Sequence, residues 1–130
     1  MKIVFLLPGV NLSGGIRVVA IHARNLIDRG HDVELIAPPP RQAGFFSRVR
    51  EFLHCGRMPP LYSHDLAHTD ALNLTVRILE TYRPIVAADV PDADVVIGTW
   101  WETVEWMTAL PPEKGRKVHL VQDHEIYSPM

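Results

Sequence analysis

The sequence predicts an α/β fold: a doubly wound, mostly parallel sheet with helices on both faces. A short continuous apolar run stands at 2–7, and shorter strand-like segments, Asp32 to Ala37 and Asp94 to Gly98, follow it, as buried parallel strands require. Between the first two the apolar period changes to three and four, through Ile16, Val19, Ala20, Ala23 and Ile27, which is one buried helix face. Strand and helix signals then alternate along the chain, the order that builds a parallel sheet with right-handed crossovers.

The first strand, Lys2 to Leu7, is closed at once by Pro8, Gly9 and Asn11. Ser13 is the expected N-cap of the first helix, whose start carries Gly14 and Gly15 and whose end is marked by Gly30 as a C′ residue. Asp32 to Ala37 is the second strand, leaving through Pro38, Pro39 and Pro40. From Arg41 onward Phe45, Phe46, Val49, Phe52 and Leu53 make an apolar stripe, with four Arg and one Glu up to Arg57. A basic amphipathic helix of this kind packs on a sheet, or lies weakly against an anionic membrane surface through residues 41–57. Leu72, Leu74, Val76 and Ile78 alternate with polar residues as in a strand at or near an edge, and 80–94 read as irregular around Pro84 and Pro91. Asp94 to Gly98 is a further buried strand. Thr99 is the expected cap of a helix from Glu102 to Ala109, and Lys117 to Val121 the last strand.

With the first strand in the middle, ligands bind beyond the carboxyl ends of the strands where the order reverses. That rule predicts one crevice, walled by Gly14 and Gly15, by Thr99, Trp100 and Trp101, and by Gln122, Asp123, His124 and Glu125. Paired glycines at a helix start uncover backbone N–H groups that favour an anion. Adjacent Trp residues suit a flat partner such as a sugar ring or a base, and Asp123, His124 and Glu125 offer acid, base and hydrogen-bonding groups.

Three familiar loops fail at the residue that carries their chemistry. Gly9 and Gly14 have P-loop spacing, but Gly15 and Ile16 stand where Lys and Ser/Thr would hold phosphates and magnesium. The dinucleotide fingerprint is absent, and prolines follow the second strand where an acid would bind a ribose. A nucleophile elbow at Ser13 needs Gly where Asn11 stands.

At 130 residues, 47% hydrophobic and 22% charged, the chain has the length and composition of one soluble domain. Its net charge of −2 gives no general attraction to nucleic acid. The single cysteine, Cys55, excludes an internal disulfide and a cysteine metal cluster and fits a cytoplasmic location. His64 and His68 are one helical turn apart, but no third ligand is evident, so no metal is expected. His22, His31 and His119 fall within or beside regular elements and read as structural.

Residues 1–37 resemble the N-terminal half of family 4 glycosyltransferases. The likeness is carried by Lys2-Ile3-Val4-Phe5, by Ser13-Gly14-Gly15-Ile16 and by Leu26 to Val33; Pro91 to Ile97, Thr99-Trp100 and Val121 to Glu125 are similar to a subset of that family. The resemblance implies a Rossmann-like half of a two-domain GT-B fold. It also implies a donor sugar nucleotide held mostly by a second, C-terminal domain, and an acceptor such as a glycan or a lipid-linked saccharide. Gly14 and Gly15 map to the pair that approaches the donor's phosphates or sugar. Many members carry a His at the end of the last strand, where this chain has Asp123 with His124 next. No cofactor is expected in this half, and the 130 residues are expected to be an incomplete enzyme, inactive alone. Two other readings stay open: a non-catalytic module binding a small anion or a protein, and a sugar-nucleotide epimerase-like domain.

Overall fold

Alternation along the first strand divides the molecule into two cores. Ile3, Phe5 and Leu7 point to one face of the sheet, Val4 and Leu6 to the other, and each set is almost wholly buried. Burying one such side chain is worth about 1.5–3 kcal/mol, so a strand with five of them belongs at the centre. The computed structural model describes residues 1–10, 13–41, 53 and 68–122. Within these, five strands form one wholly parallel sheet: β1 (Lys2–Leu6), β2 (Asp32–Ala37), β3 (Val76–Ile78), β4 (Val95–Gly98) and β5 (Arg116–His119). Their spatial order is β3-β2-β1-β4-β5, so β1 is central and the order reverses between β1 and β4.

Helix α1 (Gly14–Asp28) covers the face carrying Phe5 and Leu35, using Ile16, Val19, Ala20 and Ala23. Ser13 caps it, its Oγ accepting from the Ile16 N–H at 3.4 Å. At the other end Gly30 takes φ 86°, and the N–H groups of Gly30 and His31 return to the carbonyls of Ile27 and Leu26 at 2.9 and 3.1 Å. This is the two-bond ending that a C′ glycine permits. The opposite face is covered by α3 (Trp101–Thr108), with Met107 and Leu110 packed against Val4, Leu6, Ile36 and Val96. Helices on both faces are thus present, as the sequence predicts.

Several boundaries differ from the sequence expectation. The apparent strand from Leu72 to Ile78 is a strand only from Val76. Before it runs a four-residue helix, α2 (His68–Ala71), and a turn in which Leu72 and Leu74 both donate to the Thr69 carbonyl while Asn73 adopts φ 51°. Leu74 is buried through that turn, under the α1 face, rather than through a sheet ladder. Residues 80–94 hold one 3₁₀ turn, Ala87–Asp89. The helix cap of α3 is Trp100 rather than Thr99. The last strand begins and ends earlier than the apolar pattern suggests, and all four of its residues are exposed. The expected amphipathic stretch beyond Arg41, Cys55 and His64 lies outside the described residues, apart from Leu53.

Candidate functional site

The strand ends meet where β1 and β4 diverge. Leu6 and Gly98 are partners in register, so the loops that follow them leave from the same level. Buried Thr99 donates its Oγ1 hydrogen to the Leu6 carbonyl at 2.8 Å, bridging the two strand ends. Its hydroxyl therefore serves the sheet rather than the helix. The capping role passes to Thr103, wholly buried, whose Oγ1 accepts from the N–H groups of Thr99 and Trp100 at 2.9 and 3.0 Å and donates to the Trp100 carbonyl at 2.7 Å. Both backbone groups of Trp100 are held by one side chain. The first residue of this turn thus has a fixed backbone from which its indole projects.

Facing Trp100 is the start of α1. The first helical N–H groups have no intrahelical acceptor, and no acidic residue stands in this first turn to neutralise the positive end of the helix. A Cβ built on Gly14 would meet nothing within 4 Å, so that position opens on space. One built on Gly15 would come 3.2 Å from Gln122 Oε1. Gln122 is brought there by the segment after β5: Leu120 N–H bonds the Gly98 carbonyl at 2.9 Å, and Gln122 Nε2 reaches the Thr99 carbonyl at 3.4 Å.

Cavities surround Trp100 on more than one side. One of about 360 Å³ is lined by Ser13, Gly15, Thr99, Trp100 and Gln122, and a neighbour of about 670 Å³ by Gly14, Gly15, His22, Trp100 and Gln122. A third, about 480 Å³, lies towards β2 and has Trp100, Trp101, Glu102, Arg41 and Tyr82 among its walls. The predicted crevice residues therefore divide. Gly14, Gly15, Trp100 and Gln122 share a cleft with the end of Thr99, whereas Trp101 faces the third cavity. Asp123, His124 and Glu125 lie outside the described residues.

Sequence reasoning missed the third cavity. Arg41 read as the first residue of a basic stretch and Tyr82 as part of an irregular one. In the fold, Arg41 Nη2 donates to Tyr82 Oη at 2.7 Å and to Glu102 Oε1 at 3.1 Å, with its guanidinium carbon 4.7 Å from the centre of the Tyr82 ring. The hydrogen bond to Tyr82 first, and then the neighbouring Glu102 carboxylate, raise the Arg41 pKa above its ordinary value against an opposing effect of desolvation. The triple proline stiffens the exit of β2, but no spacing in the sequence records that Arg41 meets Tyr82 and Glu102.

Among the described residues no three His, Cys, Asp or Glu side chains gather into a group able to hold a metal, and no helix is long and apolar enough to cross a membrane. Comparison of the chain with protein families, curated proteins and solved structures gives no significant match.

Proposed function

We propose that this chain is the acceptor-side half of a glycosyltransferase of the two-domain GT-B kind, and that the start of α1 meets the diphosphate or sugar of a nucleotide-sugar donor. The observation that carries the reading is the position of Gly14 and Gly15. They open an acid-free helix start, at the topological switch point, into the cleft beside Trp100. Anions gain roughly 0.3–2 kcal/mol at such a terminus. The sequence resemblance of Ser13-Gly14-Gly15-Ile16 and of Thr99-Trp100 to family 4 enzymes supports the same reading.

In this mechanism the chain's own contribution is positional and electrostatic. Backbone N–H groups of α1 stabilise negative charge on the departing diphosphate, as fixed dipoles do wherever charge develops in a transition state. Trp100, clamped at both backbone groups, walls the sugar side, and a second domain closes over the donor to exclude water. The reading carries with it a cytoplasmic enzyme acting on a glycan or lipid-linked saccharide.

The test is an NMR titration of the ¹⁵N-labelled chain with UDP, GDP and ADP, their sugar conjugates and inorganic diphosphate. The expected result is saturable movement of the Gly14, Gly15 and Ile16 amides by one nucleotide diphosphate, with a dissociation constant of roughly 1 mM, about −4 kcal/mol, because most donor contacts belong to the second domain. Inorganic diphosphate binding as tightly as every nucleotide would favour a small-anion module. Absence of any movement at these amides would overturn the donor reading.

A further inference from the structure

The cleft at the start of α1 is divided in two. Its cavities, of about 360 and 670 Å³, share three wall residues, Gly15, Trp100 and Gln122. Gly15 has no side chain, and Thr103 holds both backbone groups of Trp100. Gln122 is therefore the part of the partition most able to move. Joined, the two cavities reach the upper end of the range for small-molecule sites, about 300–1,000 Å³.

The Gln122 carboxamide lies over the helix start. Its Oε1, Cδ and Nε2 are the three atoms nearest to where a Cβ on Gly15 would stand, at 3.2, 3.8 and 3.8 Å. Oε1 accepts no hydrogen bond among the described residues, and Nε2 donates to the Thr99 carbonyl at 3.4 Å, which is long for an N–H···O bond. An amide oxygen carries partial negative charge and is drawn to the positive end of a helix. The first turn of α1 has no acidic residue of its own to fill that role. In the free chain, a neutral oxygen thus stands beside the seat that suits an anionic one.

This arrangement is easily undone. The segment carrying Gln122 is fixed two residues earlier, where the Leu120 N–H bonds the Gly98 carbonyl at 2.9 Å, so only the side chain has to move. One long, neutral bond restrains it. Hydrogen bonds to an ionised acceptor are roughly twice as strong as neutral ones, so a diphosphate oxygen outcompetes the carboxamide at the α1 amides.

We propose that Gln122 is a displaceable cover of the α1 start: in the free chain its carboxamide closes off Gly15 and divides the cleft, and an arriving diphosphate turns it aside and joins the two cavities. That the displacing group is the donor's diphosphate rests on the function proposed above. A cover opposes binding, so truncating Gln122 tightens the complex, whereas truncating a residue that held the ligand would loosen it.

The experiment is a titration of the unaltered chain and of Gln122→Ala, Gln122→Asn and Gln122→Glu with UDP, GDP, ADP and inorganic diphosphate, observed by NMR at the Gly14, Gly15 and Ile16 amides and at the Gln122 side-chain NH₂. In the unaltered chain the NH₂ signals should shift over the same ligand concentrations as the Gly15 amide. Gln122→Ala should lower the dissociation constant about threefold, the equivalent of one weak neutral hydrogen bond no longer broken. Gln122→Asn, shorter by one methylene and the milder change for folding, should act in the same direction. Gln122→Glu sets a full negative charge at the helix start and should raise the dissociation constant about tenfold. Unchanged or weaker binding by a folded Gln122→Ala chain whose α1 amides still respond would overturn the cover and leave the donor reading standing. So would Gln122 NH₂ signals that stay fixed while the Gly15 amide moves. Amides of α1 that respond to none of the four probes, in the unaltered chain and in Gln122→Ala alike, would overturn both.

Discussion

Thr99 Oγ1 lies 2.8 Å from the carbonyl oxygen of Leu6, tying the carboxyl end of β4 to that of β1 at the point where the sheet reverses its order. Both residues are buried, so water cannot replace the bond. Thr99→Val keeps the shape and removes the donor, and should lower unfolding free energy by about 1–3 kcal/mol. Thr99→Ser should recover most of the loss. Urea denaturation of the three proteins measures both effects.

The approach of α3 to the sheet depends on Gly98. A Cβ there would stand 2.9 Å from Val104 Cγ2 and 3.3 Å from the Val104 backbone. Gly98→Ala should therefore displace the helix start at a cost of about 1–3 kcal/mol. Combining it with Val104→Ala relieves the side-chain clash but not the backbone one. The double variant should consequently recover only part of the loss relative to the sum of the single ones, which a thermal-denaturation cycle resolves.

Two glycines with positive φ should respond unequally to alanine. Gly30 at φ 86° has nothing within 4 Å of its missing Cβ, so Gly30→Ala carries only conformational strain, about 1–2 kcal/mol. Gly115 at φ 106° would place a Cβ 2.8 Å from the Ala93 carbonyl oxygen and 2.9 Å from Asp94 backbone carbon. Backbone cannot yield as a side chain does. Gly115→Ala should cost more than about 3 kcal/mol and lower the melting temperature well below that of Gly30→Ala.

Acid should weaken the loop before β4 through Asp89. Two hydrogen bonds from Arg83, at 2.6 and 2.8 Å, hold its pKa below the ordinary carboxylate value, aided by the Val86 N–H at 2.9 Å and opposed by partial burial. A carboxylate with a folded-state pKa below its unfolded one, about 3.9, contributes stability above that value and loses it as pH falls through the folded pKa. The stability difference between the unaltered chain and Asp89→Asn should thus be constant near neutrality and shrink progressively below about pH 4. Urea midpoints across pH 6 to pH 2 test the sign.

Gly15 separates binding from stability. The nearest atom to an added Cβ is the end of the Gln122 side chain, at 3.2 Å, which can swing aside. Gly15→Val should change unfolding free energy by less than about 1 kcal/mol beyond its helix-propensity effect, while weakening nucleotide diphosphate binding about tenfold or more. An equal loss of stability would mean that the glycine serves packing alone.

The parts of the fold legible in sequence are those where one physical rule acts alone. β1 and β4 are buried on both faces and so read as unbroken apolar runs, and α1 carries its period, its serine cap and its terminal glycine in plain order. Residues 72–75 misled because Leu72 and Leu74 share a period of two with a strand, although Asn73, a residue that tolerates positive φ, marked the turn. Thr99 misled because two threonines compete for one helix start, and the deeper hydrogen bond to Leu6 takes the first. The cleft at Gly15, Trp100 and Gln122 followed from the switch-point rule. The cluster of Arg41, Tyr82 and Glu102 did not, since nothing in sequence spacing records that residues 41, 82 and 102 converge above the same strand ends.

The central position of β1 also governs how the chain is made. Lys2 N–H bonds Asp94 Oδ2, 92 positions further on, and β1 has only β2 beside it until β4 has been synthesised. At about 5–20 residues per second, the stretch from Ala37 to Gly98 takes roughly 3–12 s to emerge. Throughout that interval one edge of β1 is unpaired, and Val4, Leu6 and Ile36 lack the residues of β4 and α3 that cover them. An uncovered apolar edge of this kind is a template for intermolecular pairing, so substitutions that weaken β4 would be felt first as aggregation on the ribosome and only afterwards as a lower melting temperature.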